Sequence, residues 1–148
     1  MNVSRSSLLP YNAKQMYAVI ADVRSYPVFL NWCSDSELVS QVGNEVVAKL
    51  LISFGRLKFS FVTKNLMVEN ESVNISLVDG PFSALSGQWL LEELSESACK
   101  VAFDMNFDFD SIIKQKLFGR VFQSVISAQL EAFQQRAEDL YGPSPSLS

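Results

Sequence analysis

The segment KVAFDMNFDFD, residues 100–110, alternates between apolar and polar side chains except at Ala102. Successive side chains of a β-strand point to opposite faces, so this alternation predicts a strand with one buried and one solvated face. Asp104 and Asp108 belong to the solvated face. The buried face is predicted to carry the apolar side chains Val101, Phe103, Met105, Phe107 and Phe109.

A second segment upstream, LKFSFVTKNLM (residues 57–67), has the same period of two. The connections between such segments are short and polar, at QVGNE, FGR, ENES and LSESA. Connections of this length join antiparallel neighbours, so the sequence predicts an antiparallel meander. In residues 57–67 the apolar face is predicted to carry Leu57, Phe59, Phe61 and Met67, with Lys58, Ser60 and Lys64 on the other face.

Helical patterns lie on both sides of these strands. After a strand-like NVSRSSLLP, Asn12 and Gln15 form a capping-box pattern that begins a helix, and Pro27 limits a second helix to a short piece. From residue 111 to residue 141 the apolar period is helical, with Gly142 and Pro143 at its end. A single helix is expected there, packed on the sheet through Phe118, Val121, Phe122, Val125, Ile126, Ala132, Phe133 and Leu140.

The composition favours one globular domain without histidine chemistry. The chain has 148 residues, a net charge of −4 and no histidine, so the most frequent general base and metal ligand is missing. The net charge disfavours DNA and other nucleic acids as partners. Cys33 and Cys99 are expected to be reduced thiols of a cytoplasmic protein, because no secretory signal pattern is present.

Three separated stretches together resemble one known family. They are SYPVFLNWC (residues 25–33), LVDGPFSALSGQW (residues 77–89) and FGRVFQSVISAQLEAFQQRAEDLYG (residues 118–142). These stretches resemble the coenzyme Q-binding and ribosome association toxin RatA family, part of the START-like superfamily that also holds polyketide cyclases and lipid-transfer domains. The order of the elements is similar from Val3 to Gly142.

The resemblance implies an α+β helix-grip (START-like) fold. A curved antiparallel sheet of about seven strands would wrap around the long C-terminal helix, with two short helices after the first strand. Residues 1–142 would form this single domain, and residues 143–148 a disordered tail. The stretch DGPFSALSG would be a bent link between two strands, near a mouth of the cavity, with Gly80 and Pro81 shaping the bend.

The family also implies an apolar cavity between sheet and helix that holds a quinone or another lipid. Its volume is expected within the usual range of roughly 300 to 1,000 Å³. No cofactor is required for this role, and ubiquinone is the expected bound ligand. The candidate ligand-binding residues are Trp32, Phe59, Phe61, Phe82, Leu85, Trp89, Phe103, Met105, Phe107, Phe122, Val125, Gln129 and Arg136.

Each of these assignments has a simpler alternative. The phenylalanines are also compatible with a densely packed core without a cavity. Trp32 and Trp89 are either ligand-contacting walls or ordinary core residues, and Phe82 and Leu85 either a gate or an anchor for their loop.

Gln129 and Arg136 are polar residues within the apolar stripe of the long helix, seven positions apart. A buried guanidinium needs a partner, so Arg136 is expected to pair with a carboxylate, to reach solvent over a buried stem, or to meet a polar ligand group. The functional hypothesis is that Gln129 or Arg136 donates hydrogen bonds to quinone oxygens, while the isoprenoid tail lies along the phenylalanines.

Three functions remain open from the sequence. The first is non-catalytic binding of a hydrophobic small molecule, ubiquinone or a related isoprenoid lipid, with transient contact to the surface of the inner membrane. The second is binding of the large ribosomal subunit, which would block subunit association. Its basic surface would use Arg56, Lys58, Lys64, Lys114, Lys116 and Arg120. The third, a cyclase-like or hydrolytic enzyme, is disfavoured by the missing histidine.

Overall fold

The computed structural model describes residues 1–143 and consists of one sheet covered by helices. The predicted tail therefore falls, from residue 144 onward, outside the described residues. Seven strands form the sheet: β1 (Asn2–Leu9), β2 (Cys33–Val42), β3 (Glu45–Phe54), β4 (Leu57–Val68), β5 (Ser72–Asp79), β6 (Phe82–Ser95) and β7 (Ala98–Phe109).

All strand pairs are antiparallel, in the order β1-β7-β6-β5-β4-β3-β2. The predicted meander is confirmed from β2 to β7, and β1 pairs with β7 because helices carry the chain across the sheet between β1 and β2. Interruptions of the register occur in three strand pairs, for example between Val62 and Thr63. Such bulges bend and twist a strand, which curves the sheet.

The alternating segments bury the predicted face. All five apolar residues of β7 that were expected to point inward are buried, and so are Phe59 and Phe61 of β4. This inner face packs against the helices and forms one continuous hydrophobic core. The period-two prediction is therefore confirmed for β7 and for the middle of β4, whereas Leu57 and Met67 near the ends of β4 are half-buried.

Two short helices and a turn connect β1 to β2. The helix α1 (Ala13–Ala21) begins with the predicted capping box: the Gln15 amide N–H donates to the Asn12 side chain, and the Asn12 amide N–H donates to the Gln15 side chain, each at 2.9 Å. A 3₁₀ turn (Val23–Ser25) leads into α2 (Tyr26–Phe29), where Pro27 occupies the first turn. Proline is well tolerated there because it lacks only an amide that has no intrahelical acceptor.

The C-terminal helical region consists of two helices, α3 (Ile112–Ser127) and α4 (Gln129–Tyr141). The predicted single helix from residue 111 to residue 141 is wrong at Ala128, whose φ of −91° and ψ of 0° interrupt the helical geometry. Helical hydrogen bonds adjoin the interruption on both sides: the Ala128 N–H donates to the Ser124 carbonyl and the Ala132 N–H to the Ala128 carbonyl, each at 3.1 Å. Ser111 caps α3, and Gly142 follows α4 as expected.

One residue of the predicted apolar stripe points away from the core. Leu140 is 50% exposed, whereas Ala137 one turn earlier is fully buried. The last turn of α4 therefore extends beyond the core. None of the helices in residues 1–143 combines the length and the hydropathy that a bilayer-crossing helix needs.

The link between β5 and β6 is tight at Gly80, which has a φ of +150°. A Cβ atom on this residue would lie 2.7 Å from the Cβ atom of Phe61 in the neighbouring strand. Only glycine avoids both the backbone strain and this collision. Gly80 thereby shapes the predicted bend, and the chain continues into the buried Phe82.

We predict that Gly80→Ala lowers the free energy of unfolding by about 2–4 kcal/mol, because strain and overpacking act together. Gly43→Ala is the matched control: Gly43 also has a positive φ, of +60°, but nothing lies within 4 Å of its added Cβ. Its cost should be about 1 kcal/mol. Urea denaturation measures both, and equal losses would contradict the proposed close approach to Phe61.

Candidate functional site

The inner face of the sheet and the C-terminal helices enclose a cavity. Its wall is formed by β3 to β7 on one side and by α3 and α4 on the other. Tyr26 from α2 and Trp32 close a further side. The candidate residues that line it are Trp32, Phe61, Trp89, Phe103, Met105, Phe122, Val125 and Gln129.

The cavity is much smaller than expected, with a volume of about 60 Å³. The predicted range of roughly 300 to 1,000 Å³ is therefore wrong for this conformation. A volume of this size holds about two water molecules rather than a quinone ring.

Aromatic side chains fill the space beside the cavity. Ring centroids are 4.6 Å apart for Phe82 and Phe109, 4.8 Å for Phe107 and Phe122, and 4.8 Å for Phe59 and Phe118. Offset and edge-to-face contacts at these distances are favourable for aromatic pairs. We call Phe59, Phe82, Phe107, Phe109, Phe118 and Phe122 the aromatic cluster.

Four of the candidate ligand-binding residues are not at the cavity wall. Phe59, Phe82, Leu85 and Phe107 are buried but do not line the cavity. The expectation that Phe59 and Phe107 line it is therefore wrong. Phe82 and Leu85 are 6% and 4% exposed, which is typical of anchors rather than of a gate.

Both tryptophans line the cavity and are also buried in the core. The indole of Trp89 lies 4.3 Å from the ring of Phe103 and 5.2 Å from that of Phe133, measured between centroids. Trp32 is 7% exposed, and its other side borders a surface groove. Each tryptophan is therefore both a cavity-lining residue and a core residue, so the two alternatives considered for them do not exclude each other.

Gln129 is the polar side chain that the cavity leaves without a partner. It is the first residue of α4, directly after the interruption at Ala128, and only 7% exposed. Within residues 1–143, its buried Oε1 atom accepts no hydrogen bond. Leaving a buried polar atom unpaired costs about 1–3 kcal/mol, so this amide disfavours the folded state unless another molecule binds it.

Two further polar residues line the cavity, Thr63 and Asn65 on β4. The Thr63 hydroxyl donates to Oδ1 of Asn65 at 3.1 Å, and Thr63 is 5% exposed. Neither residue was predicted from the sequence to line the cavity. The alternation itself was a sufficient signal, because positions 63 and 65 share the inward parity of Phe59 and Phe61.

The ionisable groups near the cavity are neutral hydroxyl and thiol groups. Tyr26 donates its buried hydroxyl to the carbonyl oxygen of Ile20, and burial raises the pKa of this phenol. Burial likewise raises the pKa of the Cys33 thiol to about 11. No carboxylate is among the lining residues, and the described chain contains no group of three or more potential metal ligands.

Arg136 lies outside the cavity, in a surface groove of about 620 Å³ between α2 and α4. Its guanidinium carbon is 5.1 Å from the centroid of the Phe29 ring, a cation–π contact. Gln129 and Arg136 therefore do not meet in one cavity. Seven positions along a helix correspond to about 10 Å, enough to carry Arg136 past the end of the cavity.

Comparison with known proteins assigns this architecture to a family. Residues 9–134 match the family model described as polyketide cyclase / dehydrase and lipid transport. The ribosome association toxin RatA of Escherichia coli is 37% identical over 139 residues, which cover 94% of this chain and 88% of that protein. The coenzyme Q-binding protein COQ10 homolog B of Xenopus laevis is 28% identical, covering 94% of this chain and 59% of that protein.

Solved structures agree on the fold. The Zhui aromatase/cyclase from Streptomyces superposes with a TM-score of 0.82 at 14% identity, covering 93% of each chain. A START superfamily protein from Mycobacterium smegmatis gives a TM-score of 0.78 at 14% identity, covering 94% of this chain and 98% of that one. These similarities confirm the predicted helix-grip, START-like architecture. The chain belongs to the polyketide cyclase / dehydrase and lipid transport family, and within it is similar to the ribosome association toxin RatA proteins.

Proposed function

We propose that this protein binds a hydrophobic ligand, ubiquinone or a related isoprenoid lipid, without catalysing a reaction on it. The observation that carries the proposal is the unpartnered, buried Oε1 atom of the Gln129 amide in an otherwise largely apolar cavity. Apolar walls with a few polar groups are typical of small-molecule sites. The similarity to a coenzyme Q-binding protein supports the choice of ligand class.

The Gln129 amide is suited to the polar ring of such a ligand. A carboxamide has two N–H donors and one acceptor oxygen. A quinone carbonyl would accept from the Nε2 group, and a quinol hydroxyl would donate to Oε1. Gln129 can thus bind either redox form, and the quinol, which has a hydroxyl donor, would remove the cost of the unpaired buried Oε1 atom.

Binding requires the cavity to enlarge, and Trp32 is the side chain whose movement we propose. Trp32 borders both the cavity of about 60 Å³ and the groove of about 620 Å³. If its indole rotates, the two spaces join, and an isoprenoid tail can leave the cavity along Phe29 and Ala132. This route replaces the path along the phenylalanines, because the aromatic cluster fills that space.

The lining residues argue against acid–base catalysis. They include threonine, asparagine and glutamine side chains and no carboxylate, and the chain has no histidine. The similarity to an aromatase/cyclase concerns the fold, and one fold hosts many activities.

We predict that Gln129→Leu weakens binding of a short-chain ubiquinone about tenfold, because a hydrogen bond to the ring is lost. The same change should raise the free energy of unfolding of the ligand-free protein by about 1 kcal/mol, because it removes the unpaired amide. Quenching of tryptophan fluorescence measures binding, since both tryptophans of the chain line the cavity.

Gln134→Leu is the matched control, because it makes the same change on α4 at a residue that lines neither the cavity nor the groove. It should leave the affinity unchanged. A folded Gln129→Leu protein that binds the quinone as tightly as the parent would exclude the role of Gln129 at the ring.

Ribosome association is the second candidate function, and it rests on the 37% identity to a ribosome association toxin. The six basic residues considered for it are not equally available. Lys64 is paired with Glu45 at 3.2 Å and Lys114 with Asp110 at 2.9 Å. The other four are exposed and form no ion pair within the described residues: Arg56, Lys58, Lys116 and Arg120.

For this second function we predict that purified protein keeps isolated ribosomal subunits apart and sediments with the large subunit in a sucrose gradient. Gln129→Leu should behave like the parent, because its side chain is buried away from any ribosomal contact. Complete subunit joining with the protein left at the top of the gradient would exclude the function. The quinone proposal would be unaffected by that result.

A further inference from the structure

The outward side of α3 exposes large aliphatic side chains. Ile112, Ile113 and Leu117 are 76%, 71% and 52% exposed, whereas Phe122 and Val125 of the same helix are buried on the opposite side. At 100° per residue, the three aliphatic residues lie within one continuous arc of the helix surface. Single exposed aliphatic residues are common, but a cluster of this kind on one helix face is typical of an interaction surface.

Two cations lie within the same arc. Lys116 and Arg120 fall between Ile112 and Leu117 around the helix, and both are exposed. We call Ile112, Ile113, Lys116, Leu117 and Arg120 the α3 outer face.

The face is locally basic although the chain is acidic. The helix contains three basic residues and no acidic one, while the whole chain has a net charge of −4. The nearby carboxylates are already engaged: Asp110 pairs with Lys114, and Asp108 with the N-terminal ammonium group at 3.0 Å. Lys116 and Arg120 therefore remain available for an external anion.

We propose that the α3 outer face docks onto the surface of an anionic lipid bilayer. A helix that lies in a membrane interface buries aliphatic side chains at the acyl boundary and places cations at the lipid phosphates. The α3 outer face provides both groups in one arc. A nucleic-acid phosphate backbone would use the cations but not the isoleucines, so the combination favours lipid over RNA.

The face lies on the side of α3 opposite the aromatic cluster. Phe118, on the inner side of the same helical turn, lies 4.8 Å from Phe59 and 5.8 Å from Phe109 between ring centroids. Docking would thus bring the aromatic cluster within one helix width of the bilayer. The docking proposal stands on the α3 outer face alone and does not require a quinone.

Flotation of the full chain with vesicles tests the proposal. We expect binding to vesicles of phosphatidylcholine with phosphatidylglycerol and weaker binding to phosphatidylcholine alone. Replacing both cations, Lys116→Gln with Arg120→Gln, should weaken partitioning to the anionic vesicles about fivefold for each charge. Ile112→Ser with Ile113→Ser should reduce it at least about tenfold, because two aliphatic side chains no longer enter the interface.

Matched controls separate the face from general charge and hydrophobicity. Lys14→Gln with Lys100→Gln removes the same charge at exposed positions elsewhere, and Leu8→Ser removes an aliphatic residue that is 70% exposed on β1. Both should bind vesicles like the parent. The proposal is wrong if the isoleucine variant, folded by circular dichroism, still floats with anionic vesicles. It is equally wrong if the parent binds ribosomal RNA but no vesicle.

Discussion

The fold depends on the burial of one aromatic sheet face against the C-terminal helices. The inward side chains of β4, β6 and β7 and the inner sides of α3 and α4 meet in one core. Their apolar area is the main source of stability, since burial contributes about 25 cal/mol for each Å² removed from water. The tight link at Gly80 belongs to the same core, because it passes directly against Phe61.

The same contact explains where a ligand site can form. The aromatic cluster fills one part of the interface, and smaller side chains such as Ala48 and Thr63 leave a small cavity in another. The break between α3 and α4 places Gln129 at this point, with an amide that the protein itself does not satisfy. An unpaired buried polar group of this kind is costly for stability, and sites of function are where such costs persist.

The strands were predictable because their signal is local: alternation over ten residues fixes which face is buried, and the capping box and Gly142 fix helix ends. The cavity volume was not predictable, because it depends on how rings from four separate elements interdigitate. The angular position of Gln129 around the helix correctly predicted that it faces the cavity. Arg136 has a similar angular position but lies about 10 Å further along the helix axis, beyond the cavity, and the angular position does not include this distance. Thr63 and Asn65 were missed because polar residues on the inward parity of β4 were not considered.

The most direct measurement of the central claim is mass spectrometry of the molecules that remain bound to the natively purified protein. The account predicts an isoprenoid quinone or a related lipid in the organic extract, in an amount comparable to the protein, and its loss from the Gln129→Leu variant relative to Gln134→Leu. A parent protein that carries no lipid, and that takes up none when a short-chain ubiquinone is added, would contradict the account.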